Sequence, residues 1–169
     1  MKIKEIIHFL ETIAPLSLQE SYDNAGLTIG NSDTECNGII TSLDVTEEVV
    51  EEAVKRKCNL IVAHHPIIFR GLKRLNGKNY VERTVIAAIK NDIAVYAIHT
   101  NLDNVLEGVN HKIAEKLQLQ NCKTLLPKAG TLKKLVTFAP LKNAEAVRNA
   151  LFQAGAGSVG NYDQCSFNV

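Results

Sequence analysis

Apolar residues at Ile3, Ile6, Ile7, Leu10 and Ile13 recur at helical spacing and stop at Pro15, which predicts an amphipathic helix at the start of the chain. His8 lies off that stripe. The segment Ser21-Tyr-Asp-Asn-Ala-Gly-Leu-Thr-Ile-Gly30 holds so many turn formers that its pattern predicts no regular element. Gly38 to Leu43 reads as a strand running up to Asp44. Thr46 is then placed to cap a helix from Glu47 to Lys57, whose two leading glutamates suit the positive end of the helix dipole. Leu60-Ile-Val-Ala63 and Ile93 to Ile98 are uninterrupted apolar runs, of the kind found in strands buried on both faces. Between them lie a basic, glycine-punctuated loop, Arg70 to Lys78, and a helical pattern from Val81 to Lys90. Val105, Val109, Ile113 and Leu117 step by four and predict one more helix. Strands that alternate with helices and are apolar throughout predict an α/β fold over residues 1–126, a mostly parallel sheet layered with helices.

From Thr131 the rhythm restarts after the turn formers Pro127-Lys-Ala-Gly130. Leu135 to Phe138 reads as a strand, Pro140 as punctuation, and Ala144 to Ala154 as a helix closed by Gly155. Cys165, Phe167 and Val169 alternate with polar residues as in a half-buried strand that runs to the end of the sequence. Residues 127–169 are therefore expected to begin a smaller, incomplete α+β domain. Gly155-Ala-Gly-Ser-Val-Gly160 spells a dinucleotide-type G-x-G-x-x-G, yet it follows a helix and precedes a strand. That context is the reverse of a pyrophosphate cradle, so it reads as a helix stop and turn.

Composition narrows the partners. Nineteen Lys and Arg face eighteen Asp and Glu, which leaves no surplus charge for gripping a phosphate backbone nonspecifically. No apolar run is long enough to span a bilayer, and Lys4, Glu5, His8 and Glu11 interrupt the first segment as they would not a signal-peptide core. A cytoplasmic protein with no membrane partner is expected. The four cysteines, Cys36, Cys58, Cys122 and Cys165, form no Cys-x-x-Cys pair, which excludes a zinc ribbon or a redox motif and predicts buried free thiols.

The chemistry lies at the strand ends. His64 and His65 follow a buried strand and precede Pro66, and in an open parallel sheet ligands bind beyond the carboxyl ends of the strands. Successive strand side chains point to opposite faces, so these rings suit two neighbouring ions, one ring to each, unless the chain kinks. His99 repeats the placement, and Asp103 comes one helical turn later. Imidazole and carboxylate suit zinc, iron, manganese and nickel alike, and a carboxylate can bridge two ions. A catalytic zinc-type site takes about three protein ligands per ion, so four donors for two ions leave about two to be found. His8 and His111, on helices, do not read as ligands. Asp44, ending a third strand, and Asp23, in a loop expected at the same edge, are candidates to orient a catalytic water, with a turn or cap role as the alternative.

Taken together, Tyr22-Asp-Asn-Ala-Gly-Leu27, Ser42-Leu-Asp-Val-Thr46, Ala63-His-His-Pro-Ile-Ile-Phe69 and Ala97-Ile-His-Thr-Asn-Leu-Asp103, followed by Gly108-Val-Asn110, resemble the dinuclear metal-centre family. These are the NGG-interacting-factor-three-like proteins, often labelled GTP cyclohydrolase I type 2 homologues. The blocks run in order over nearly the whole chain. The resemblance implies a two-metal site in which His64, His65, His99 and Asp103 correspond to family ligands. It also implies a His and a Glu near the family's C-terminus that have no counterpart here. His111 stands where the family more often has an acidic residue. Leu135 to Pro140 and Gly157 to Phe167 resemble the start of a smaller domain inserted between the halves of the metal-binding domain. The implied function is a metal-dependent hydrolase acting on a small molecule, with a nucleotide as the family-labelled substrate, in a homo-oligomeric ring of six. A metal-binding scaffold or regulatory partner without turnover is the alternative. Lacking its last ligands, this stretch is expected to hold metal less firmly than a complete site.

Overall fold

The computed structural model describes residues 1–126, 133–159 and 162–168. The chain divides into two compact units, Met1–Cys122 and Lys123–Val169. In the first, α1 (Ile3–Ile13) is followed by a single 3-10 turn (Leu16–Leu18), β1 (Gly26–Ile29), β2 (Ile39–Ser42), α2 (Glu47–Lys55), β3 (Leu60–Ala63), α3 (Tyr80–Lys90), β4 (Ala94–Ala97), α4 (Thr100–Asp103) and α5 (Val109–Lys116). The four strands form one sheet in the order β1-β4-β3-β2. β2, β3 and β4 run parallel, and β1 closes the edge antiparallel to β4.

Every residue of β3 and β4 is buried, as expected of strands covered on both faces. Their alternation sorts side chains into two cores. Ile61, Ala63 and Val95 pack with Val50 and Ala53 of α2 and Val85 and Ala88 of α3. Leu60, Val62, Ala94 and Tyr96 pack with Ile3 and Ile6 of α1. The sheet is therefore sandwiched between helices. Burial holds the Tyr96 phenol up at about 12, with Glu11 adding to the effect.

Thr46 caps α2 as expected, its side chain accepting a hydrogen bond from the Val49 amide. Replacing it by Ala is expected to lower stability by about 1 kcal/mol, the usual cost of a lost N-cap. A shift in the urea unfolding midpoint would measure it, and an unmoved midpoint would show that the cap carries nothing.

Several expectations need correction. β1 lies inside the segment read as irregular; Gly26, at φ +114, starts it, and the pairing shifts register between Leu27 and Ile29. A four-residue, bulged edge strand lacks the alternation that periodicity detects. The last helix of this unit starts at Val109, not Val105, because Gly108 forms its N-cap. None of the cysteines is buried: Cys36 and Cys58 are half-buried and Cys122 and Cys165 exposed, all as free thiols.

In the second unit α6 (Ala144–Gln153) ends at Ala154, and Gly155 and Gly157 follow at φ +93 and +88, the helix stop and turn expected there. Leu135 to Phe138 form no strand, and Phe138 is 95% exposed. Cys165 to Asn168 form none either; Val159 and Tyr162 make an isolated bridge, and the Cys165 amide donates to the Gly157 carbonyl. A strand exists only through its ladder, and among the described residues these segments have no ladder partner. The turn expected at 127–130, with the domain boundary placed at its start, lies outside the described residues, as do Thr131, Gly160 and the terminal Val169.

Candidate metal centre

Register places the site. Ser42, Ala63 and Ala97 are aligned partners, so β2, β3 and β4 end level with one another. The residues just beyond them, Asp44, His64, His65 and His99, are therefore delivered to one sheet edge. β1 runs the other way, and its first residue, Gly26, pairs with Ala97, the last of β4. The loop that leads into β1 thus reaches the same edge and carries Asp23 there.

His64 and His65 do not project to opposite sides. The β3 ladder ends at Ala63; the His64 and His65 amides then donate to the Ser42 and Leu43 carbonyls as the chain turns toward Pro66. The two ring centroids lie 5.0 Å apart, and His99 lies 5.2 Å from His64 and 5.6 Å from His65. One ligand atom from each of the three rings falls within 4.8 Å of the others, a cluster that can hold a metal ion.

Each ring is held from behind. The Nδ1 of His64 donates to the Ile98 carbonyl at 3.0 Å, that of His65 to Asp44 Oδ1 at 2.7 Å, and that of His99 to Asp23 Oδ1 at 2.8 Å. A carbonyl or carboxylate oxygen only accepts, so Nδ1 carries the proton and Nε2 of the neutral ring presents its lone pair. Asp103, on the single turn of α4, brings Oδ1 to 3.9 Å from His64 Nε2, too far for a hydrogen bond. With neutral rings, three ring lone pairs converge and an Asp103 oxygen lies 3.9 Å from His64 Nε2. That arrangement is unfavourable unless a cation sits among them, and the oxygen or backbone partner behind each Nδ1 is the usual support of a metal-bound imidazole. The donor set fits a divalent metal.

The supports differ in strength. The Asp23 side chain is 0% exposed and that of His99 17%, whereas Asp44 is 60% and His65 48% exposed. Asp23 is also saturated: Oδ1 takes His99 and the Asn24 amide, and Oδ2 takes the Thr100 amide at 3.0 Å and the Thr100 hydroxyl. Burial alone would raise its pKa; the Thr100, His99 and backbone hydrogen bonds outweigh burial and hold the carboxyl below the ordinary range. Both Asp23 oxygens are thus engaged, holding His99 and Thr100 in place.

Sequence reasoning missed three contributors. The Ile98 carbonyl orients His64, and Thr100 links Asp23 to the Glu20 amide. Asn101, fully buried, accepts from the His99 amide and donates to the Ala14 carbonyl, tying α4 to the end of α1. The signal for Thr100 and Asn101 was present in His-Thr-Asn-Leu-Asp, where two of the three residues between the candidate ligands are small and polar. His8 and His111 are exposed on their helices and stand apart from the cluster.

The family model for Duf34/NIF3 (NGG1p interacting factor 3) matches residues 1–167. Two curated relatives are both called GTP cyclohydrolase 1 type 2 homolog. That of Halalkalibacterium halodurans is 42% identical over 164 residues, covering 96% of this chain and 44% of the relative. That of Bacillus subtilis is 40% identical over 166 residues, covering 98% and 44%. The crystal structure of a Bacillus cereus protein related to NIF3 superposes with a TM-score of 0.78 at 40% identity, over 99% of this chain and 46% of that one. The chain thus spans less than half the length of these relatives. Among the described residues, no helix is long and apolar enough to cross a membrane.

Proposed function

This chain belongs to the Duf34/NIF3 family, and from that premise we propose that it carries part of a dinuclear metal centre of a cytoplasmic, metal-dependent hydrolase acting on a small molecule. The observation that carries the reading is the set of three imidazoles whose Nδ1 atoms are each hydrogen-bonded and which each bring a ring nitrogen within 4.8 Å of the others. His64, His65, His99 and Asp103 are the residues that would hold the ions. When bound, divalent ions supply Lewis acidity and lower the pKa of water toward neutrality. The protein's own contribution is orientation. The Ile98 carbonyl and the Asp44 and Asp23 carboxylates lock each ring in one tautomer, and α4 fixes His99 and Asp103 one turn apart. Asp44 engages His65 through Oδ1, so in this reading its second oxygen takes a proton from the attacking water.

The names of the relatives support a cyclohydrolase-type reaction on a nucleotide and, with the family resemblance, a hexameric ring of identical chains; both belong to the proposal. Zinc titration by calorimetry, together with a screen of cyclic amides, amidines and phosphate esters, tests it. Saturable zinc binding at the histidine cluster with turnover is the expected result. Bound zinc without turnover on any of these would favour a scaffold, and failure to bind zinc, iron, manganese or nickel would overturn the metal centre itself.

A further inference from the structure

Beside the histidine cluster the structure has a second feature of a binding site. A cleft of about 650 Å³ opens between the loop after β2, the loop after β3 and the start of α3, and His65 forms part of its wall. That volume is in the range that accepts a whole small molecule rather than an ion and its water. Ile67, Phe69, Leu72 and Tyr80 give the cleft a mainly apolar lining.

Several polar groups in this wall are committed. Asp44 is hydrogen-bonded to His65. The Thr46 hydroxyl takes the Val49 amide, and the Asn79 side chain is spent on the Glu82 amide and carboxylate. The groups of the wall left open include the Tyr80 hydroxyl, the second Asp44 oxygen and the Arg70 guanidinium, and Arg70, which among the described residues has neither an ion pair nor a hydrogen bond, is the cation of the set. It is also the sole Lys or Arg in that lining. The nearby Arg83, by contrast, is neutralised by Glu47 at 2.8 Å.

An uncommitted guanidinium at the rim of an apolar cleft, with a candidate metal ligand in the wall, defines the chemistry of what fits. We propose that Arg70 anchors the substrate by pairing with a single oxyanion, carboxylate or phosphate, on a ligand whose planar apolar body lies against Phe69, Leu72 and Tyr80. This rests on the hydrolase reading in placing the reacting end of the ligand toward His65. The guanidinium fork matches either oxyanion in bidentate fashion, which lysine cannot do. One free guanidinium answers one oxyanion of the ligand, and the remaining basic residues of the loop, Lys73, Arg74 and Lys78, stand outside the cleft lining.

The test is a nuclear magnetic resonance titration of the isotopically labelled chain with phenyl phosphate, benzoate and benzyl alcohol, in the absence and presence of zinc. Phenyl phosphate, benzoate or both should shift the Arg70 Nε–H signal together with the amides of His65 and Tyr80, and benzyl alcohol should bind more weakly. Which anion binds more tightly identifies the oxyanion. Arg70→Gln should weaken that binding about tenfold, Arg70→Lys should recover part of it, and Lys73→Gln should leave it unchanged. Arg70 is exposed, so its substitution should leave the rest of the spectrum in place. Equal losses in Arg70→Gln and Lys73→Gln would show only diffuse attraction to a basic loop and overturn the proposal. So would benzyl alcohol binding as tightly as the anions, or no shift at the cleft with either anion. The metal-free titration reads Arg70 independently of zinc, so a failed metal centre and a failed anchor give different results.

Discussion

Asp23→Ala should lower the affinity of the chain for zinc by roughly 10- to 100-fold, the usual effect of deleting the group behind a metal-bound imidazole. The same substitution should cost about 3 kcal/mol of stability, because it strands buried donors of His99 and Thr100 that the carboxylate now satisfies. Asp44→Ala removes the equivalent support from His65, but that pair is about half exposed, and water can replace the lost acceptor. Its effect on zinc affinity should be the smaller of the two. His64→Ala removes a donor atom itself and should exceed both. Calorimetric zinc titration of the three variants should give the ordering His64, Asp23, Asp44, and urea unfolding reads the stability cost of Asp23→Ala. If Asp23→Ala bound zinc as tightly as the unaltered chain, Asp23 would be a structural carboxylate only and the metal-centre reading would lose its best-buried support.

The legibility of this molecule follows the physics of each element. β3 is readable residue for residue, because a central parallel strand must be apolar on both faces, and the histidines after it mark where the ladder stops. That they share one side was not readable, since the alternation rule holds only while the ladder continues. Asp23 was visible as a polar residue in a loop, but its role depends on β1 running antiparallel, and β1 is too short and too interrupted to announce itself. The helix after Gly108 shows the opposite failure: apolar residues spaced by four continue back to Val105, yet the backbone does not. In residues 133–159 and 162–168 the alternating apolar positions are real, and most of those side chains are exposed. Periodicity reports what a segment can pair with, not whether a partner is there.

Gly108→Ala should be among the most damaging small substitutions in the chain, costing about 3 kcal/mol, at the upper end of ordinary overpacking. The reason is not conformational: Gly108 has φ −85, which any residue adopts. It is contact. An added Cβ would lie 1.9 Å from the Leu102 carbonyl oxygen and 2.9 Å from Val105 Cγ2. Leu102 is in α4, between His99 and Asp103, so that carbonyl cannot withdraw without moving the turn that sets both candidate ligands. The strap from Asn110 Nδ2 to the Asp103 carbonyl, at 2.9 Å, would be pulled with it. Gly155→Ala is the informative contrast. Gly155 sits at φ +93, and an added Cβ there would meet nothing within 4 Å, so strain without collision should cost about 1 kcal/mol and leave zinc binding unchanged. Urea midpoints and zinc titrations of the two variants separate the cases. If Gly108→Ala unfolded at the unaltered midpoint and kept its zinc affinity, the close approach of α5 to α4 would be dispensable, and Asp103 would owe its place to Asn110 and α4 alone.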